Sequence, residues 1–200
     1  MTFPVILSFY TKGTPYEKEV LHLIESCKEF GLQTVIEGVE SFGSWELNCG
    51  YKPFYIWKAL EQLNRPVLWV DADGRFMKEP KWQLAFDSDL SVRFHEELNW
   101  GHPSKVITST VFVKPTKQGK EILKRWIQET QKQLLDPKRT VEFWDQIALR
   151  DALKGWEGIL EPMPLDYAKI FDHPSDCVTV HEPVIEHYQA SRRFKNHLDK

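Results

Sequence analysis

Residues 66–74, with the sequence PVLWVDADG, decide the fold of this chain, because a short apolar run ends there in two acids one residue apart, Asp71 and Asp73. A run of aliphatic and aromatic residues that a proline opens and a glycine closes predicts a buried strand. The acids therefore follow a core strand at the edge of a sheet, where open α/β sheets bind ligands. Two carboxylates there are costly unless a positive group meets them, and a hard divalent cation carrying a diphosphate would suit.

The segments before this strand alternate between strand and helix patterns. Residues 4–9 and 32–36 have the composition of strands, and residues 14–17, TPYE, have the pattern of a capping box that starts a helix. Gly31 ends that helix, and Pro53 opens another one directly before the strand of residues 66–70. This order predicts an α/β fold with a mostly parallel central sheet flanked by helices.

The second half of the chain is less regular. Strands are predicted over residues 90–94, 106–113, 178–180 and 184–187. Amphipathic patterns predict helices over residues 116–134 and 142–153. We expect a single domain over residues 1–192 and a polar C-terminal tail over residues 193–200.

The composition is ordinary for a soluble globular protein, with 42% hydrophobic and 28% charged residues in a chain of 200. The net charge of −3 offers no electrostatic footprint for a polyanion, so nucleic acid is not an expected partner. The three cysteines are far apart and lack metal-ligand spacing, which favours reduced thiols.

No apolar run approaches the roughly 18 residues of a transmembrane segment, and the N-terminus lacks the features of a signal peptide. A cytoplasmic protein is therefore expected.

Four short motifs carry a resemblance to a known family. They are YKP at 51–53, VLWVDAD at 67–73, FWDQ at 143–146 and HYQAS at 187–191. In this order they resemble the nucleotide-diphospho-sugar transferases, and the chain looks like a small glycosyltransferase of the A-type fold with a DxD motif over residues 5–192. The resemblance implies transfer of a hexosyl group from a nucleotide-diphosphate sugar to a hydroxyl acceptor, such as a glycan or glycolipid.

The resemblance also implies a divalent metal. Asp71 and Asp73 match the motif that holds Mn²⁺ or Mg²⁺ against the donor diphosphate. His187, at the end of a predicted strand, resembles the C-terminal histidine that retaining relatives place on the metal, which makes it the third candidate ligand and favours retention. A surface or core histidine is the alternative for this residue. Arg192 or Arg193 could offset phosphate charge.

Further site residues follow from the same resemblance. Asp145 would lie in the cleft as the catalytic carboxylate, positioning the acceptor hydroxyl or acting as a base, whereas the alternative is a salt-bridged helix flank. The implied donor-binding residues are Tyr10, Thr11, Lys52, Asp71, Ser109 and Gln146. Trp45, Trp100 and His102 are predicted to lie in loops, and residues 100–103, WGHP, could form an acceptor-side platform or tuck a tryptophan under a loop.

Three alternatives remain open. The DxDG segment also resembles haloacid-dehalogenase-like phosphatases, in which Asp71 would be the nucleophile, but that family has threonine or valine where this chain has Arg75. A sugar-nucleotide nucleotidyltransferase would need a glycine-rich basic loop, which residues 12–14 do not supply. A catalytically silent domain that binds a nucleotide sugar is the non-enzymatic alternative.

Overall fold

The described residues form two sheets, a six-stranded central sheet and a three-stranded smaller one. The computed structural model describes residues 3–82 and 87–194. The strands are β1 (Val5–Thr11), β2 (Thr34–Val39), β3 (Val67–Val70), β4 (Gly74–Phe76), β5 (Leu90–Phe94), β6 (Val106–Val113), β7 (Leu160–Pro162), β8 (Lys169–Ile170) and β9 (Ile185–His187). The central sheet has the strand order β2-β1-β3-β6-β5-β7, and the smaller sheet has the order β4-β9-β8.

The central sheet is mostly parallel, as predicted. Strand β1 pairs in parallel with both β2 and β3, and β5 pairs in parallel with β7. Strand β6 runs antiparallel to both of its neighbours, β3 and β5. The carboxyl ends of β1, β3 and β5 therefore meet the beginning of β6 at one edge of the sheet, and the residues that follow these strands come together there.

Helices cover both faces of the central sheet. They are α1 (Tyr16–Glu29), α2 (Trp45–Gly50), α3 (Lys52–Leu63), α4 (Lys117–Leu134), α5 (Asp145–Ala152), α6 (Pro174–Thr179) and α7 (Ala190–Phe194). Alternate residues of a strand point to opposite faces. Val67 and Trp69 accordingly pack with residues of α3, α4 and α5, whereas Leu68 and Val70 pack with residues of α1 and the smaller sheet.

Some sequence-based expectations were wrong. Residues 178–180 are not a strand, because Pro174 opens α6 and Asp176 in that helix is held by a buried ion pair with Arg93. Trp45 does not lie in a loop but begins α2, whose N-cap Ser44 accepts a hydrogen bond from the Leu47 amide. The predicted capping box at residues 14–17 does not form, since the Thr14 hydroxyl accepts from Tyr16 N and donates to Thr11 O.

Within the described ranges, no helix combines the length and the apolar character needed to cross a bilayer. Cys27, Cys49 and Cys177 are all free thiols. Helix α7 extends to Phe194. The rest of the tail expected from the sequence, residues 195–200, lies outside the described residues.

Candidate active site

A cavity of about 680 Å³ opens at the edge where β1, β3 and β5 end and β6 begins. Its volume falls in the range of small-molecule sites. The predicted site residues that line it are Tyr10, Thr11, Lys52, Asp71, Asp73, Ser109, Asp145 and Gln146. The topology therefore brings together residues from distant parts of the chain, because β6 pairs with β3 and places Ser109 O 2.9 Å from the Asp71 amide.

Lys52 lies between two carboxylates in the wall of the cavity. Its Nζ is 2.9 Å from Asp71 Oδ1 and 2.7 Å from Asp145 Oδ2, and it donates to Thr108 O at 3.3 Å. Burial alone would lower the pKa of Lys52, but Asp145 and Asp71 outweigh it and raise that pKa. Lys52 is thus an ammonium ion at neutral pH whose charge contacts are with protein carboxylates.

Asp71 directly follows β3 and is anchored through one oxygen. Its Oδ1 accepts from Trp69 Nε1 at 2.7 Å as well as from Lys52. Burial raises the pKa of Asp71, because Lys52 offsets this penalty only in part and Asp73 adds a like charge. One carboxylate oxygen is therefore committed to the protein.

Asp145 opens helix α5 with its carboxylate directed to the cavity. Its Oδ2 accepts from the Thr108 hydroxyl at 2.8 Å and pairs with Lys52, and its backbone oxygen accepts from Trp126 Nε1 at 2.9 Å. Within the described residues no hydrogen bond reaches Oδ1. The side chain is held in one orientation with one oxygen left for a ligand.

The pairing of β4 with β9 brings His187 to Asp73. Gly74 lies opposite His187 in this pairing, and a Cβ at Gly74 would lie 2.5 Å from Val70 Cγ1 and 3.1 Å from His187 Cε1, so a larger residue does not fit. Asp73 Oδ2 accepts from the Ala190 amide at 2.6 Å. The other oxygen, Oδ1, is 3.6 Å from His187 Nδ1.

The hydrogen bonds around His187 determine which ring nitrogen carries a proton. The Thr110 hydroxyl has a single proton, which it donates to Tyr167 O at 2.9 Å. His187 Nε2, 2.8 Å from the same hydroxyl oxygen, must then donate its own proton to it. His187 Nδ1 is buried and has no hydrogen-bond partner among the described residues.

The pair of Asp73 Oδ1 and His187 Nδ1 fits a cation. Two lone pairs at 3.6 Å repel each other unless a second proton on the imidazole or a cation lies between them. Imidazole nitrogen and carboxylate oxygen are both metal ligands. No group of three or more His, Cys, Asp or Glu side chains in residues 3–82 and 87–194 is arranged to hold a metal ion. The structure brings two of the three predicted ligands together, and Asp71 as the third stays a prediction.

The remaining predicted site residues differ in their contacts with the protein. Ser109 Oγ is buried, and among the described residues it has no hydrogen-bond partner. Gln146 Nε2 donates to Pro103 O at 3.1 Å. Arg192 lines the cavity and pairs with Asp172, whereas Arg193 pairs with Glu19 on α1.

The platform predicted at residues 100–103, which includes Trp100 and His102, does not line the cavity. Trp100 instead packs against Phe94 and Lys105.

Several cavity residues were not predicted from the sequence. They are Tyr16, Trp45, Asn48, Cys49, His95 and His173. Ser44 is a favourable N-cap residue and could have indicated helix α2, which carries Trp45, Asn48 and Cys49. His95 directly follows the strand predicted at residues 90–94, and this position could have placed it at the same sheet edge as Asp71. No local pattern around His173 indicates the cavity.

The fold is shared with solved glycosyltransferases. A glycosyltransferase involved in the glycosylation of the major capsid of PBCV-1 superposes with a TM-score of 0.68 and 19% identity over 98% of both chains. GlyE of Streptococcus pneumoniae TIGR4 superposes with a TM-score of 0.60 and 15% identity over 94% of this chain and 55% of GlyE. The galactosyltransferase LgtC, solved with donor and acceptor sugar analogs, has a TM-score of 0.57 and 10% identity over 92% of this chain and 87% of LgtC.

No family model and no curated protein sequence matches the chain. At such low identities the structural likeness establishes the fold alone. It confirms the expected single-domain α/β architecture of the glycosyltransferase A type.

Proposed function

We propose that the protein is a metal-dependent glycosyltransferase that moves a hexosyl group from a nucleotide-diphosphate sugar to a hydroxyl of a glycan or glycolipid. The observation that carries the proposal is the unpartnered Nδ1 of the buried His187 beside Oδ1 of Asp73, an acid that follows β3 and lines a cavity of about 680 Å³. The A-type fold supports the same function.

Asp73 and His187 would hold Mn²⁺ or Mg²⁺, with Asp71 as the third candidate ligand. A bound divalent cation supplies a Lewis acid that neutralises the departing nucleoside diphosphate. Tyr10, Thr11, Ser109 and Gln146 are the proposed donor contacts, since they line the same cavity. The contribution of Lys52 is to hold the side chains of Asp71 and Asp145 in place, which follows from its two ion pairs.

Asp145 is the proposed catalytic carboxylate. In the transfer, the acceptor oxygen bonds to the anomeric carbon, the bond to the diphosphate oxygen breaks with its electron pair, and the acceptor proton passes to the departing diphosphate oxygen. The free Oδ1 of Asp145 would contact the reacting sugar, while Thr108 and Lys52 hold Oδ2. We propose retention of the anomeric configuration, because His187 resembles the C-terminal histidine of retaining glycosyltransferases.

A thermal-shift screen of nucleotide sugars with and without Mn²⁺ tests the proposal. At a ligand concentration of roughly 100 times Kd, stabilisation is about 2.7 kcal/mol, or an increase in Tm of about 5–10 °C for a domain of this size. The stabilising sugar is then assayed for release of nucleoside diphosphate and for transfer.

The Asp73→Asn variant should lose the Mn²⁺-dependent shift. The control Asp87→Asn changes an exposed carboxylate outside the cavity and should keep the shift. The metal assignment is wrong if Asp73→Asn responds to donor and Mn²⁺ as the natural chain does. Binding without turnover would indicate a catalytically silent domain instead.

A further inference from the structure

Two histidines line the cavity and have no part in the reaction proposed above. His95 directly follows β5, and His173 is the N-cap of α6. Their ring centroids are 5.2 Å apart, and the ring planes are inclined by 47°. Segments distant in sequence thus place a pair of imidazoles on one wall of the cavity.

The neighbours of these rings determine where the protons lie. His95 Nδ1 is 3.1 Å from Glu97 Oε1, and His173 Nδ1 is 3.1 Å from Asp176 Oδ1. A carboxylate only accepts, so His95 Nδ1 carries the proton and His95 Nε2 carries a lone pair. Ser175 Oγ donates its single proton to Asp176, so it accepts from His173 Nδ1 at 2.9 Å, and the proton of that ring also lies on Nδ1.

Both Nε2 atoms are available to a ligand. Within the described part of the chain no hydrogen bond engages either of them. Burial, followed by the charge of Arg93, lowers the pKa of His95 below its usual value, so this ring is neutral at neutral pH.

The pair is held rigidly. His95 N donates to Lys105 O at 3.0 Å, and Lys105 Nζ donates to His95 O at 2.9 Å. Asp176, which orients His173, is fully buried and is held by both terminal nitrogens of Arg93 at 2.6 and 2.7 Å. Two acceptor atoms are therefore preorganised before any ligand arrives, which lowers the entropic cost of binding.

We propose that His95 and His173 form the acceptor subsite and that their Nε2 atoms accept hydrogen bonds from two neighbouring hydroxyls of a neutral sugar. This inference rests on the proposed glycosyl transfer. Ring hydroxyls on adjacent carbons supply two donors with a fixed separation, which is what a rigid pair of acceptors selects. A phosphate or carboxylate acceptor would instead meet two lone pairs and the charge of Glu97.

Imidazole ¹⁵N spectra of the full chain test the binding mode without turnover. At about pH 8.5, where ordinary imidazoles are neutral, both rings should have a protonated Nδ1 and a non-protonated Nε2, assigned with His95→Phe and His173→Phe. Methyl β-galactopyranoside or methyl β-glucopyranoside should shift both Nε2 signals. Tetrahydropyran-2-methanol, which has the ring but lacks its ring hydroxyls, should shift neither. Protonated Nε2 atoms, or signals that no methyl glycoside moves, would overturn the inference.

Kinetics separate this inference from the proposed function. His95→Phe and His173→Phe should each raise the acceptor KM about tenfold, the effect of one lost hydrogen bond in a buried site, with donor KM changed less than about twofold. His95→Gln, which keeps an acceptor oxygen, should recover part of the loss. His22→Phe is the control, because His22 is exposed on α1.

The outcomes are distinguishable. If the natural chain neither binds nor turns over a nucleotide sugar, the proposed function fails, whatever the imidazole spectra show. If it transfers sugar and a folded Phe variant keeps the natural acceptor KM, the acceptor subsite is wrong and the proposed function stands. Thermal unfolding of each variant establishes that it is folded.

Discussion

The buried ion pair between Arg93 and Asp176 should contribute several kcal/mol to stability. Asp176 accepts two hydrogen bonds from Arg93 and one from the Ile170 amide at 2.8 Å, and both charged side chains are almost fully buried. The Asp176→Asn variant keeps the shape but leaves the guanidinium without its counter-charge. Breaking a buried pair in this way costs about 3–5 kcal/mol, which is a large part of the roughly 5–15 kcal/mol that stabilises a typical domain.

Urea unfolding at neutral pH measures this loss. A lower midpoint with an unchanged slope would show that stability fell while the surface exposed on unfolding did not change. Thermal unfolding should give a Tm lower by roughly 6–20 °C. Asp172→Asn is the matched control, because Asp172 also pairs with an arginine but both partners are substantially exposed, and such pairs contribute only about 0–1 kcal/mol.

The pH dependence gives a second check. Burial alone would raise the pKa of Asp176, but Arg93 and the Ile170 amide outweigh it and hold that pKa below its usual value. Ionised Asp176 therefore stabilises the fold at neutral pH, and the contribution is lost as the pH falls below about 4, the pKa of an unfolded Asp. The reasoning is refuted if Asp176→Asn loses less than about 1 kcal/mol at pH 7, or if its deficit does not shrink in acid.

Three further substitutions have defined outcomes. Gly74→Ala should lower stability by about 1–3 kcal/mol and weaken the Mn²⁺-dependent thermal shift, because the added Cβ would crowd Val70 and His187; an unchanged shift would contradict this. Lys52→Met should cost about 1–3 kcal/mol in urea unfolding, more than Lys52→Arg, because two half-buried carboxylates lose their partner. Asp145→Asn should retain Mn²⁺-dependent donor binding but lower the transfer rate at least about 100-fold, and near-normal transfer would exclude a catalytic role.

Short-range patterns were enough to predict the core of the architecture. Apolar strands separated by amphipathic helices indicated the parallel arrangement of β1, β2 and β3, and the position of Asp71 after a buried strand indicated the ligand-binding edge. These features depend on hydrophobic periodicity and on turn residues, and both are patterns among a few neighbouring residues in the sequence. The wrong assignment of residues 178–180 marks the limit, because a buried contact with Arg93 outweighed their β-branched composition.

The partners of the site residues were decided by the tertiary structure. Lys52 was expected to bind the donor. The tertiary structure places it between Asp71 and Asp145, because the start of α3 faces the start of α5 across the end of β3. His187 reaches Asp73 through the pairing of β4 with β9, and β4 was not predicted.

The sequence by itself therefore determined that two acids follow a buried strand in a parallel α/β sheet. Which cation, lone pair or hydroxyl each acid meets was decided only by the tertiary structure. The physical reason is that ion pairs and hydrogen bonds form between groups that are close in space. Local periodicity does not encode such contacts when the residues are far apart in the sequence, as Asp73 and Ala190 are, at 117 positions.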